Sequence, residues 1–235
     1  MRLSSCVAVL VLWSSSSTFA QDWIEFASRQ DGFTCNFPGQ PTVTETTYRS
    51  QFGADLPARV YSAQQGQSRY SITVADFSRI EQILTEKAKA CPAGAETCRG
   101  GGSSTGPGYW RADYNGAIIY ATWERMQRAA KVSQFLWNNV NLVGGHQLHL
   151  TNPDGSRSVV GIYMHNQKLY ILEGTAPEGY PEPGMFPQSL GWLDENGEGI
   201  RYRTLYHHAF PPPPVDDRNQ DGPGRINAPQ RGQRP

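Results

Sequence analysis

The chain has 235 residues, and its 21 Lys and Arg balance 21 Asp and Glu, so it offers no bulk charge for gripping nucleic acid or an anionic membrane surface. Hydrophobic residues at 38%, charged residues at 18%, 24 Gly and 17 Pro argue against a coiled coil or helical bundle and for a loop- and β-rich globular chain. Six Trp, eleven Tyr and nine Phe carry enough apolar area to exclude a wholly disordered chain.

The N-terminus reads as a secretory signal peptide over residues 1–20. Arg2 precedes the apolar run Val7 to Trp13, a serine run follows, and Thr18-Phe19-Ala20 forms a small-residue cleavage site before Gln21. The apolar stretch is about half of the roughly 20 residues a span needs, so export with cleavage is expected over a retained anchor. No integral membrane segment then remains. Cys6 follows no apolar segment, which argues against a lipoprotein. Removing residues 1–20 takes away Arg2 and no acid, leaving a net charge near −1. A periplasmic or secreted location follows.

Export puts Cys35, Cys91 and Cys98 in an oxidising compartment. Cys91 and Cys98 bracket a turn-forming segment, and we expect a disulfide between them, worth about 2 to 3 kcal/mol. Cys35 alternates with Phe33 and Phe37 on one strand face, which reads as a buried, inert thiol. An intermolecular bond through Cys35 stays open.

In chain order, strands are predicted at Trp23–Ala27, Phe33–Phe37, Thr42–Ser50 as a threonine-rich edge, around Leu56-Ala58-Val60, and around Tyr70-Ile72-Val74. Ser78 and Glu81 form a capping box for a helix over 78–90, which Cys91-Pro92 ends. The glycine-rich segment 99–108 lacks the spacing and the lysine of a phosphate-cradling loop, with no apolar strand leading in and no clear helix leading out. From Tyr114 the pattern reads as a meander. Alternation over residues 118–123 predicts a strand covered on both faces, followed by strands at Val132–Trp137, Gln147–Leu150 and Ser158–His165. With Asn166-Gln167 as a two-residue turn, Met164 faces Leu169, Tyr163 faces Tyr170 and Ile162 faces Ile171. Phe186, Leu190 and Leu193 fall at helical spacing over 185–195, and Ile200–Tyr206 adds a last strand or wraps the core. Residues 211–235 hold seven Pro and one large aliphatic residue, the composition of a disordered proline-rich tail. The folded unit is therefore a single domain over 21–210.

Trp23-x-Glu25-Phe26-x-Ser28, then Asp31-Gly32-Phe33 and Phe37-Pro38-Gly39-x-Pro41, resemble the opening of the PsbP-like family. The resemblance covers most of residues 22–195. It implies an α+β fold in which an antiparallel sheet is flanked by helices as an α/β/α sandwich, with the helices at 78–90 and 185–195 in corresponding places. Members include extrinsic photosystem II subunits, a small-GTPase-binding branch and bacterial envelope proteins. The resemblance thus implies binding or assembly and transfers no catalytic residue.

The candidate sites are few. His146 and His149 have an odd spacing and point to opposite strand faces, while His165 beside a turn and His207-His208 beside the prolines read as surface residues. Convergent zinc ligation is not expected. Asp217, Asn219 and Asp221, followed by Gly222, match the first half of a calcium loop, yet Ala228 stands where a bidentate Glu belongs. Calcium is the only cofactor this motif could imply. Asp194-Glu195 and Glu124 read as solvated carboxylates, and no nucleophile elbow or zincin helix appears. Tyr109, Trp110, Trp137, Tyr163 and Tyr170 either line a ligand groove or build the core. The expectation is an exported, non-catalytic binding or assembly module with an envelope protein or a small ligand as partner. A small-ligand or calcium-binding periplasmic protein is the alternative, and a hydrolase with an unrecognised site is a third.

Overall fold

The computed structural model describes residues 23–93 and 110–208. Eleven strands form two antiparallel sheets among these residues. The larger is built from β3 (Thr42–Arg49), β4 (Asp55–Gln65), β5 (Ser68–Asp76), β6 (Lys131–Val140), β7 (Val143–Thr151), β8 (Arg157–His165) and β9 (Lys168–Ala176), in the order β3-β4-β5-β9-β8-β7-β6. The smaller joins β1 (Trp23–Ser28), β2 (Phe33–Pro38), β10 (Gly191–Leu193) and β11 (Gly199–Ile200). The helices are α1 (Ile80–Lys89), α2 (Trp110–Arg128) and the single turn α3 (Met185–Gln188).

The central strands are apolar on both faces because both faces are covered. Along β9, Leu169 and Ile171 enter the core under α1 and α2, while Tyr170 and Leu172 enter the core beneath the small sheet. Period-2 alternation thus divides one strand between two cores. The β8–β9 hairpin has the register read from the sequence, with Met164 opposite Leu169, Tyr163 opposite Tyr170 and Ile162 opposite Ile171. Its turn residues Asn166 and Gln167 take φ of 46° and 59°, the left-handed pair that matches the twist of flanking strands.

Four expectations are corrected. Residues 114–123 belong to α2, not to a strand. Trp110, Tyr114, Ala117, Ile118 and Ala121 are buried while Ile119 and Trp123 are exposed, an i, i+4, i+7, i+8, i+11 face that outweighs the local β-branched and aromatic run. α2 also follows directly on the glycine-rich segment, where no helix was expected. The helix expected over 78–90 forms, but from Ile80 and without the capping box: Ser78 donates its N–H to Asp76 Oδ1 at 2.8 Å instead, an Asx turn. Finally, the helix expected over 185–195 is one turn followed by β10, in which Trp192 packs against the larger sheet and Leu193 is buried as the next strand residue. The sheet is therefore covered by helices on one face and by a small sheet with one helical turn on the other, an α/β/β rather than an α/β/α layering. The expected leader over 1–20, the Cys98 end of the disulfide and the proline-rich residues 211–235 lie outside the described residues, and no helix among the described residues is long and apolar enough to cross a membrane.

Asp31 fastens the small sheet to the large one. It lies in the β1–β2 turn at 1% exposure, and its carboxylate accepts from Arg59 Nε (2.7 Å) and Nη2 (2.5 Å), Tyr61 Oη (2.7 Å) and Lys168 Nζ (3.0 Å). Tyr170 Oη donates to its carbonyl at 2.5 Å. Burial alone would raise this carboxyl, but the hydrogen bonds from Arg59, Tyr61 and Lys168 outweigh it and hold the pKa below the usual range. Replacing Asp31 with Ala leaves two cations without their anion, so Asp31→Ala is expected to cost about 3 to 5 kcal/mol in urea unfolding at pH 7. Because the folded pKa is depressed, the contribution is complete above the unfolded value near 4 and is lost as pH falls through the folded one. The difference between wild type and variant should shrink as the pH drops below about 4.

Candidate aromatic docking surface between α2 and β6

The β6–β7 hairpin and α2 enclose a cleft of about 370 Å³ lined by Asn115, Ile118, Ile119, Trp137, Gly144, Gly145 and His146, closed at one end by Leu205 to His208. The Trp137 ring lies along the hairpin at Gly144, where an added Cβ would meet the indole at an ordinary van der Waals distance of 3.4 Å. The C-terminal segment is anchored by Tyr206, whose N–H donates to Leu142 O at 2.9 Å and whose hydroxyl accepts from Asn166 N–H at 3.1 Å.

Large apolar side chains stand open around this cleft. Ile119 is 66% exposed and Trp123, one turn on, is 54% exposed. On β6, Phe135 is 52% and Trp137 61% exposed on the helix-facing side, and Leu136 is 47% exposed on the other. Phe135 also meets the His146 ring edge-on at 4.9 Å. Ile119, Trp123, Phe135 and Trp137, on two adjacent elements, make an exposed apolar surface of the kind that marks an interaction site.

The polar side chains lining the cleft are Asn115, Tyr206 and the histidines. Thr122 gives its hydroxyl proton to Ile118 O at 2.7 Å, so at 2.8 Å His146 Nδ1–H is the donor to Thr122 Oγ1. Burial lowers the His146 pKa from its ordinary value. Burial and the neighbouring His207 lower that of His208. Among the described residues no group of three or more His, Cys, Asp or Glu is placed to hold a metal ion.

The other sequence candidates divide between core and surface. Trp110, Tyr163 and Tyr170 are core residues, leaving Trp137 as the groove aromatic; Tyr109 lies outside the described residues, as do Asp217, Asn219 and Asp221. His146 and His149 do face opposite sides, the first toward Thr122 and the second toward Glu182 at 3.1 Å. His165 is a correction. It is buried at 1% exposure, stacked on Trp192 with centroids 4.5 Å apart and hydrogen-bonded through Nε2 to Tyr202 Oη at 2.7 Å, because the segment after β11 folds back over the β8–β9 turn. Asp194 is also buried rather than solvated, accepting from the N–H groups of Asn196 and Glu198 at 2.9 Å each. Cys35 is buried, and its thiol meets Ser189 Oγ at 3.1 Å. That position precludes a bond to another chain without unfolding. Sequence reasoning missed Ile119 and Trp123, and the signal that could have found them is their i, i+4 spacing opposite the Ala117-Ile118-Ala121 face.

Neither a family model nor a curated protein sequence matches the chain. Among solved structures it is similar to the solution structure of cyanobacterial PsbP (CyanoP) from Synechocystis sp. PCC 6803, with a TM-score of 0.36 and 11% identity over 75% of this chain and 87% of that one. The chain bears a weak PsbP-like structural resemblance.

Two measurements check the buried groups. Burial lowers the His165 pKa to about 4, so below the unfolded value near 6.5 the unfolded chain binds a proton that the native chain refuses. Stability should therefore fall between pH 6.5 and 4, His165 contributing up to ~1.4 kcal/mol per pH unit, and His165→Phe should remove that share of the slope in urea melts across the range. Burial, against the Ser189 hydrogen bond, pushes the Cys35 thiol up to about 12. A thiol-selective disulfide reagent at pH 8 is expected to leave Cys35 of the native chain unlabelled and to label it on unfolding.

Proposed function

We propose that this chain is an exported, non-catalytic binding or assembly module of a bacterial cell envelope, docking its partner on the apolar surface between α2 and β6. The observation that carries the reading is the exposure of Ile119 and Trp137 in one cleft whose lining holds no carboxylate, lysine or arginine, with Trp123 exposed on the same helix and Phe135 on the same strand. Burying such a surface against a partner is favourable at roughly 25 cal/mol per Å² of apolar area, and aromatic side chains dominate interface energetics. The leader-like residues 1–20 support export to the periplasm or beyond. In that oxidising setting the Cys91–Cys98 disulfide would pin the exit of α1, where Cys91 is buried against the last helical turn.

Export explains how so neutral a chain could still act at an envelope: the recognition proposed here is apolar and stereospecific, with no electrostatic attraction to lipid or nucleic acid. The proline-rich residues 211–235 follow in sequence soon after the segment that closes the cleft.

The test is capture of cross-linked partners from the native envelope with the full chain, with Ile119→Asp and Trp123→Asp, and with residues 211–235 removed. A stoichiometric envelope protein that falls at least tenfold in both Asp variants is expected. If its loss instead follows removal of residues 211–235, the contact moves to that segment. An absence of any partner in every form would overturn the assembly reading.

A further inference from the structure

The two edges of the seven-stranded sheet differ in how they meet solvent. β3 is defended: Thr42, Thr44, Thr46 and Thr47 are exposed along it, Glu45 is among them, and Arg49 pairs with Asp55 at 2.9 Å. Polar and charged side chains of this kind deter strand addition. β6, the opposite edge, has Lys131 as its only charged residue and exposes Phe135, Leu136 and Trp137 in succession. An open apolar edge of this length is a template for another strand.

We infer that β6 pairs antiparallel with β6 of a second copy of this chain, about a two-fold axis through Leu136. The inference rests on reading the α2–β6 surface as a docking surface, and it names one occupant of it. About Leu136 the strand is self-complementary. Phe135 falls opposite Trp137 of the second copy, Leu136 opposite Leu136, and Gln134 opposite Asn138, so apolar residues meet apolar ones and amides meet amides. Lys131 falls opposite Asn141, so no like charges meet.

The backbone agrees with this register. Val140 and Val143 flank the two-residue turn Asn141-Leu142, with φ of 48° and 65°, and such a pair exchanges both of its hydrogen bonds. Counting back in twos from Val140, Asn138, Leu136 and Gln134 turn their N–H and C=O groups inward to β7, whereas Phe135 and Trp137 turn theirs to the open edge. A two-fold axis at Leu136 brings those outward groups of Phe135 opposite those of Trp137. The pairing is bounded at both ends. The Asn139 N–H is taken by the Asn138 side chain at 2.8 Å, and a bulge between Val132 and Gln134 bends the strand. Each copy would bring its Phe135 beside the other's Trp137 and so extend the wall of the other's cleft, making a site to which both copies contribute.

The experiment is sedimentation of the full, leader-processed chain with no partner present. A dimer in the micromolar range is expected, reduced to monomer by Leu136→Lys. Val43→Lys, at an equally exposed position on β3 (47% each), should leave it intact. Leu136→Cys should cross-link two copies under mild oxidation, because a non-hydrogen-bonded antiparallel pair holds its Cβ atoms about 4.5 to 5.5 Å apart. Unchanged thermal melts show that the variants fold. A wild-type chain that stays monomeric at every concentration, as it would if its own C-terminal residues or a foreign strand filled the edge, overturns the inference. So does a dimer that survives Leu136→Lys or one that Leu136→Cys does not cross-link. Failure here leaves the partner-capture result standing, since Ile119→Asp and Trp123→Asp on α2 leave Leu136 and the backbone edge of β6 unchanged.

Discussion

The layered arrangement depends on how one carboxylate is neutralised. The small sheet is narrow: β10 and β11 are three and two residues long, too short to hold position by their own ladder hydrogen bonds. Asp31 supplies what the ladder lacks. Its carboxylate meets Arg59 from β4 and Lys168 from β9, and its carbonyl meets Tyr170, so the β1–β2 turn is tied to two strands that sandwich β5. The aromatic cluster of Phe26, Phe33, Tyr61, Tyr170 and Trp192 then packs beneath it, with centroids 5.0 to 6.2 Å apart. An ionic tie of this kind stabilises only while every donor is in place.

A second buried aspartate shows why the cations matter. Asp113 on α2 accepts from Ser50 Oγ at 2.5 Å and from the N–H groups of Gln51 and Phe52 at 3.1 and 3.3 Å, which joins the helix layer to the β3–β4 turn. Its hydrogen-bond donors are neutral, and burial prevails over them, raising its pKa. Asp31, with an arginine and a lysine in contact, goes the other way. Like burial of like groups therefore gives opposite proton affinities, decided by whether the donors carry charge. The same accounting separates both aspartates from a catalytic carboxylate: their lone pairs are committed to donors that hold the layers together, away from the α2–β6 cleft.

The strands were legible in the sequence wherever pattern and turn chemistry agreed. Phe33, Cys35 and Phe37 share a buried face as their alternation implied, and Asn166-Gln167 set the β8–β9 register without tertiary help. The helix layer was less legible. Over 118–123 the run Ile-Ile-Tyr-Ala-Thr-Trp satisfies a two-sided strand as well as a helix, and only the longer window from Trp110 to Ala121 reveals the buried helical stripe. Phe186, Leu190 and Leu193 are buried from a single helical turn, an irregular residue and a strand, a convergence that spacing alone mimics with a helix. Asp31 was hidden by its neighbour: Asp-Gly is a turn signal, and nothing local says that an arginine 28 residues later and a lysine 137 residues later will close on it. His165 was misplaced for the same reason, since the residues that bury it, Trp192 and Tyr202, arrive from the far end of the chain.

The candidate surface follows from the order of the sheet. A strand apolar on both faces needs two covering layers, and β5, β9 and β8 lie centrally and have them. At the rims the layers run out, so an edge strand must either become polar or find another cover. β3 takes the first course, with four threonines and Glu45 exposed and Val43 as its one exposed large hydrophobic residue. β6 departs from that course over the three residues Phe135 to Trp137, which stay exposed beside a helix whose own Ile118 and Thr122 are buried. The helix itself adds Ile119 and Trp123 facing outward beside that uncovered strand, where serine or lysine would have served a solvated helix better. Two independent elements thus leave apolar side chains unburied at one rim, and no demand of the core explains either. The docking surface proposed above would account for both with one cause.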